Sequence, residues 1–101
     1  MAHKLYRVVD FTIVDNYTLW IKFNDGIERI IHFEPVLYGE VFGPLRDLNR
    51  FNQVRLDLQA RTLVWPNGGD FDPETLYNWD DEEMAQLGQL WATVSISPVV
   101  A

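Results

Sequence analysis

Tyr17, Leu19, Ile21 and Phe23 alternate with Thr18, Trp20, Lys22 and Asn24. This period of two predicts a strand with one buried face. Residues 5–14 (LYRVVDFTIV) are rich in β-branched and aromatic side chains and predict a preceding strand, with Leu5, Val9, Phe11 and Ile13 sharing a face and Asp15-Asn16 forming the turn. Asn24-Asp25-Gly26 supplies a tight turn, and residues 27–34 (IERIIHFE) a third strand that ends at Pro35. The first third of the chain therefore reads as an antiparallel meander. Gly39, Gly43 and Pro44 punctuate the apolar segment that follows. Pro44 suits a first helical turn, and Leu45, Leu48 and Phe51 predict a short helix over about 43–50. Val54, Leu56 and Leu58 alternate with polar residues, a turn falls near Gln59-Ala60-Arg61, and Thr62–Trp65 completes a hairpin that Pro66 closes.

Two helices complete the pattern. Asp72-Pro73-Glu74 reads as an N-cap with proline at the first helical position. Asp80 opens a second helix over about 80–94, with Glu83 three residues on as in a capping box. Met84, Leu87, Leu90, Trp91 and Val94 form its apolar stripe, to be packed on the sheet or on a second subunit. Residues 95–101 read as a frayed tail. The expected fold is α+β in one domain spanning 1–101: an antiparallel sheet of about five strands, followed by two C-terminal helices.

Composition narrows the chemistry. The chain has 101 residues, 48% of them hydrophobic and 14% aromatic, enough for a packed core. It has no cysteine, which excludes disulfides, thiolate zinc sites and cysteine nucleophiles. No run approaches the roughly 18 apolar residues of a membrane span, and the first residues lack a signal-peptide pattern, so a cytoplasmic location is expected.

The net charge of −7 is unevenly placed. Residues 1–61 carry all eight lysines and arginines and eight acids, and so sum to zero. Residues 62–101 carry seven acids and no lysine or arginine: Asp70, Asp72, Glu74, Asp80, Asp81, Glu82 and Glu83. Such a surface repels a phosphate backbone, which argues against direct nucleic-acid binding and for a basic protein partner. The competing explanation is that acids collect at helix N-termini because the helix dipole favours them there.

Catalytic chemistry has little to draw on. The serines, Ser95 and Ser97, lie near the C-terminus; His3 is near the N-terminus, and His32 alternates with Ile31 and Phe33 without an evident orienting partner. Asn67–Glu74 places carboxylates at alternate positions (Asp70, Asp72, Glu74), an oxygen-rich loop worth testing for calcium, but the EF-hand spacing is absent. Asp72 and Asp70 are explained as a cap and a turn residue. No cofactor, metal site or catalytic residue is assigned. Trp65 reads as core. Trp20, opposite the apolar face of its strand, reads either as cover for a helix or as an exposed interface aromatic. Trp79 and Trp91 flank the last helix as anchors.

The segment from Trp65 onward, Trp65-Pro66-Asn67-Gly68-Gly69-Asp70-Phe71-Asp72-Pro73-Glu74-Thr75-Leu76-Tyr77, resembles the bacterial family catalogued as domain of unknown function DUF 2442. The Tyr17–Phe23 strand, the Asp25-Gly26 turn and Phe42-Gly43-Pro44-Leu45 leading to Phe51 fit it too, over about residues 5–78 in all. The resemblance implies a small α+β domain without an established activity. Some members of that family carry a helix-turn-helix domain, and others sit beside a second small protein in arrangements resembling toxin–antitoxin pairs. Residues 78–101 suffice for one helix of about three turns, not for a helix-turn-helix bundle. The expectation is a non-enzymatic interaction module, antitoxin-like toward a small basic protein or homodimeric, using Trp20, Asp70, Glu74, Tyr77, Asp81, Glu82 and Trp91. The alternative is a small-molecule or metal-binding domain built on the 67–74 loop.

Overall fold

The computed structural model describes residues 5–96, with side chains through residue 92. His3, Ser97 and most of the expected tail lie outside the described residues, and Ser95 falls in the last turn of the final helix. Strands β1 (Val8–Asp15), β2 (Thr18–Phe23) and β3 (Glu28–His32) form an antiparallel sheet in the order β1-β2-β3. Gly26, at φ +89°, closes the β2–β3 turn as its sequence demands. Leu19, Ile21 and Phe23 of β2 are fully buried with Ile31 of β3, so one sheet face forms the floor of the core.

β1 departs from simple alternation. Val8 pairs with Phe23 and Asp10 with Lys22, so the register slips by one residue at Val9. This β-bulge sends Val8 into the core and leaves Val9 exposed. Phe11, opposite Ile21, is partly buried. Ile13 and Leu5, expected on the same inner face, stay exposed.

The second hairpin is a separate sheet. β4 (Arg55–Asp57) and β5 (Thr62–Val64) pair antiparallel with Leu56 opposite Leu63. Five strands are thus present among the described residues, but divided three and two rather than joined. Their link is one backbone bond, from the Val8 N–H to the Arg61 carbonyl (2.9 Å). The bond is made by Val8, next to the Val9 bulge, and the three-residue strands β4 and β5 do not extend the pairing along β1.

The β4–β5 turn is held by Asp57, whose Oδ1 accepts from the backbone N–H groups of Gln59 (2.8 Å) and Ala60 (2.9 Å). These bonds, that from Ala60 foremost, hold the Asp57 carboxyl below its ordinary range; partial desolvation opposes them and Arg55 assists. A depressed folded-state pKa adds stability that is complete above the unfolded value and is lost as pH falls through the folded one. Asp57→Ala is therefore expected to lower the melting temperature at pH 7. The gap between variant and wild type should close as the buffer is acidified below the ordinary aspartate range, as thermal melts across pH would show.

The helix expected over 43–50 is two separate turns. A 3₁₀ turn at Glu34–Val36 leads to α1 (Gly39–Phe42), a second 3₁₀ turn spans Gly43–Arg46, and α2 is Leu48–Phe51. The break is at Asp47, which is extended (ψ 112°) and caps α2 by accepting from the Asn49 N–H (3.0 Å). An aspartate that can cap the next turn is worth more there than inside a helix.

α3 (Pro73–Tyr77) starts as its sequence predicts, with Asp72 accepting from the Glu74 N–H (3.0 Å). α4 (Asp81–Ile96) is capped by Asp80, which accepts from the Glu83 N–H (2.9 Å). No helix among the described residues is long and apolar enough to cross a membrane.

The core between sheet and helices is largely aromatic. Phe33, fully buried, has its ring 5.1–6.0 Å from those of Phe51, Trp65, Phe71 and Trp79. Trp65 is buried and its indole N–H donates to the Phe51 carbonyl (2.9 Å), which removes the cost of burying that polar group. Of the expected stripe on α4, Met84, Leu87 and Trp91 pack on the core together with Gly88, Leu90 is 59% exposed, and the Val94 side chain lies outside the described residues. Gly88 is the point of closest approach. A β-carbon there would lie 1.8 Å from the Pro35 carbonyl oxygen.

Candidate interaction surface

All seven acids of the lysine- and arginine-free segment are exposed. Chain geometry groups them. The hairpin ends at Val64, the Gly68–Gly69 turn folds back, and Asp70 bridges to Val64. Phe71 then plunges into the core, so Asp72 emerges as the cap of α3 and Asp80 as the cap of α4. Between the two helix starts lies an open hollow of about 360 Å³ whose lining includes Asp72, Glu74, Asp80, Glu83 and Met84. Asp81 and Glu82 occupy the first turn of α4 next to it. Glu74 and Glu83 thus share one hollow with the caps Asp72 and Asp80, while Asp81 lines a neighbouring one with His32, Pro35, Trp79 and Met84. None of the seven is paired with a basic side chain among the described residues. No group of three or more His, Asp or Glu there could hold a metal ion.

Part of the polarity of the 67–74 loop is used on nearby backbone, although Asn67, Asp70, Asp72 and Glu74 are all exposed. Asn67 donates to the Val41 carbonyl (2.8 Å) and accepts from the Gly69 N–H (3.1 Å), and Asp72 is engaged as a cap. Gly69 is buried beside α1: a β-carbon there would meet Val41 and Phe42 at 3.3 Å. The loop carrying Asp70 is therefore seated on α1.

Tyr77 is committed to the fold. Its hydroxyl donates to Asp25 Oδ2 (2.7 Å), and its ring packs on Phe23 (5.0 Å) and Tyr6 (4.8 Å). The Arg29 guanidinium lies over the ring (5.6 Å), and its Nε donates to the Tyr77 carbonyl (3.0 Å). Tyr77 thus fastens α3 to the end of the β2–β3 hairpin.

Trp20 stands apart from the acids, on the sheet face opposite the core. It is half-buried between Thr12 and Ile30 on the neighbouring strands, and its indole N–H donates to Glu28 Oε1 (2.7 Å). His32 is on the same face and exposed, with Nδ1 2.9 Å from Thr18 Oγ1 and Nε2 3.4 Å from Glu34.

Trp91 leads to a surface that the sequence pattern did not single out. Its half-buried ring stacks on Phe42 (5.9 Å, 14° between planes), which stacks in turn on Phe71 (4.6 Å). Outside this stack, Tyr38, Glu40, Val41 and Phe42 on one side and Leu90 and Trp91 on the other line a shallow groove of about 760 Å³. Val41 and Leu90 are exposed there. The available signal was Leu90, which lies beside the stripe set by Gly88 rather than within it.

A protein-family model described as "Protein of unknown function (DUF2442)" matches residues 8–82. No curated protein and no solved structure matches the chain.

Proposed function

This chain belongs to the DUF2442 family, and from that premise we propose that it is a non-enzymatic protein-interaction module that binds a basic protein partner in the cytoplasm through the α3–α4 side. The observation that carries this reading is the set of seven exposed carboxylates in a segment without lysine or arginine. Two of them, Asp72 and Asp80, have a structural use as caps. Asp70, Glu74, Asp81, Glu82 and Glu83 remain as surface charge in excess of what capping requires. Unneutralised like charges concentrated on one side cost stability through self-repulsion and favour encounter with an opposite charge. An antitoxin-like role toward a small basic protein is the finer form of the proposal, supported by the family resemblance. Against the alternative use of the 67–74 loop for a ligand, Asn67 and Asp72 already have backbone partners, the Val41 carbonyl and the Glu74 N–H.

Capture from cells of the source organism with the tagged chain tests the proposal. The expected result is retention of a basic protein at low salt and its release as ionic strength rises, because exposed charge pairs are screened within about 10 Å at 0.1 M. Retention of nothing beyond a tag-only control, or self-association alone, contradicts it.

A further inference from the structure

The three-stranded sheet has two edges, and they are finished differently. β1 is irregular at both ends, and on its outer side the Val8 N–H is already bonded to the Arg61 carbonyl. β3 is regular. It pairs with β2 from Glu28 to His32 without a shift, and no other strand among the described residues lies beside it. Ladder parity fixes where its backbone points: Ile27 accepts from Phe23 (2.9 Å) and Phe33 donates to Tyr17 (2.7 Å), so the odd-numbered residues face β2. Glu28, Ile30 and His32 therefore turn their N–H and C=O groups to the open edge, where no described residue bonds them. Their side chains stand on the outer face, and Ile30, opposite Trp20, is 70% exposed. A straight edge carrying an exposed isoleucine is a template for strand addition.

We infer that a second copy of this chain covers this edge, with the two β3 strands antiparallel about a two-fold axis at Ile30 and the two sheets joined into one. The order of residues selects this occupant and this register. Ile30 meets Ile30 of the second copy and Glu28 meets its His32, each facing pair exchanging two backbone bonds. A carboxylate thus lies opposite an imidazole at both ends of the contact. Glu28 enters it with Oε2, since Oε1 accepts from the Trp20 indole (2.7 Å). His32 enters it with Nε2, since Nδ1 is held by Thr18 Oγ1 (2.9 Å); Nε2 also lies 3.4 Å from Glu34. Moving the register by two residues one way sets His32 against Gly26, in the turn; moving it the other way sets Glu28 against Glu34, acid on acid. The assembly closes at two copies, because the far edge is bulged at Val9 and bonded at Val8. The inference does not rest on the proposed binding of a basic partner.

Sedimentation equilibrium and amide hydrogen exchange on the full chain test it together. The wild type is expected to pass from monomer to dimer as its concentration rises through the micromolar range. Exchange at Glu28, Ile30 and His32 should slow by about tenfold or more in the dimer, while Arg29 and Ile31, already bonded to β2, should not change. Ile30→Lys sets two ammonium groups face to face from an exposed position, so it should keep the fold, weaken the dimer about tenfold or more and leave those three amides fast. Should Ile30→Lys fail to fold, the concentration dependence of the three wild-type amides decides alone. A monomer at every concentration overturns the inference. A dimer that Ile30→Lys does not weaken, or whose formation leaves the three amides fast, also overturns it by placing the contact elsewhere. So does protection of those amides in the monomer, because the chain's own residues would then cover the edge.

Discussion

Phe33→Ala is expected to remove about 3–5 kcal/mol of folding stability, the usual cost of emptying a fully buried aromatic site. The side chain has no exposed surface, and its ring meets those of Phe51, Trp65, Phe71 and Trp79. These neighbours come from α2, the stretch after β5 and the approach to α4, so the cavity would loosen three parts of the fold at once. Rings at this density cannot collapse inward without leaving their rotamers, which places the cost toward the upper end. Domains of this size are stable by about 5–15 kcal/mol in all. The melting temperature should fall by roughly 15–25 °C. Phe33→Leu should recover much of the loss. A fall under about 3 °C for the alanine variant would mean that this ring is not at the centre of the core.

The second large effect runs against local propensity. Glycine inside a helix costs about 1 kcal/mol relative to alanine, so Gly88→Ala in an isolated α4 would stabilise it. In this fold the new β-carbon would sit 1.8 Å from the Pro35 carbonyl oxygen and 2.8 Å from its carbon. Both are backbone atoms of the turn beneath α4, so no side-chain rotation relieves the overlap. The helix must lift away, and Met84, Leu87 and Trp91 lose packing with it. Overpacking of this kind costs about 1–3 kcal/mol and sometimes more, and the severity of this contact puts it at the high end. After the propensity gain, a net loss of about 2 kcal/mol is expected. Thermal melts of Gly88→Ala beside Gln86→Ala, at an exposed position of the same helix, separate the two effects. A rise in melting temperature for Gly88→Ala would show that α4 does not dock on the Glu34–Val36 turn.

What the sequence disclosed and what it hid have the same physical basis. The meander was legible because residues 17–24 alternate strictly and Gly26 marks the turn. The caps Asp72 and Asp80 were legible because capping is a local interaction. Four features were missed, three of them because they depend on tertiary contacts and one, the cap at Asp47, although it is local. The Val9 bulge comes from pairing with β2, and propensity does not distinguish Val8 from Val9. The division into two sheets depends likewise on which strand edges meet in the fold. The helix over 43–50 is broken because Asp47 has a better use as a cap than as an interior residue. The stripe of α4 kept Met84, Leu87 and Trp91 but exchanged Leu90 for Gly88, because an apolar count includes Leu90 and passes over Gly88, although a mid-helix glycine spaced four residues after Met84 and three before Trp91 signals close approach.

The candidate surface was half legible. Charge asymmetry is readable from residue order alone, and it led to Asp70, Glu74, Asp81 and Glu82, all of which the fold exposes: Glu74, Asp81 and Glu82 in the first turns of α3 and α4, and Asp70 beside the end of β5. Trp91 lines the neighbouring groove. Tyr77 could not be distinguished from an interface aromatic by sequence, since its partners Asp25, Arg29 and Phe23 are about 50 residues away. Glu40 and Val41 were hidden for the converse reason: they join Leu90 and Trp91 only across the fold.

The central claim is that the five carboxylates not used as caps form the attractive part of a partner-binding surface. Its most direct test is the affinity of the captured partner for the wild-type chain and for a fivefold neutralised variant (Asp70→Asn, Glu74→Gln, Asp81→Asn, Glu82→Gln, Glu83→Gln), measured by calorimetry at 50 and 300 mM salt. Asp72 and Asp80 are kept, so the helices remain capped; the fold is confirmed by an unchanged far-ultraviolet circular dichroism spectrum and a single cooperative melt. The account predicts affinity about tenfold or more weaker for the variant at 50 mM, with the difference largely gone at 300 mM. Equal affinity of the two chains at low salt would contradict it and leave the acids as helix-end charges alone.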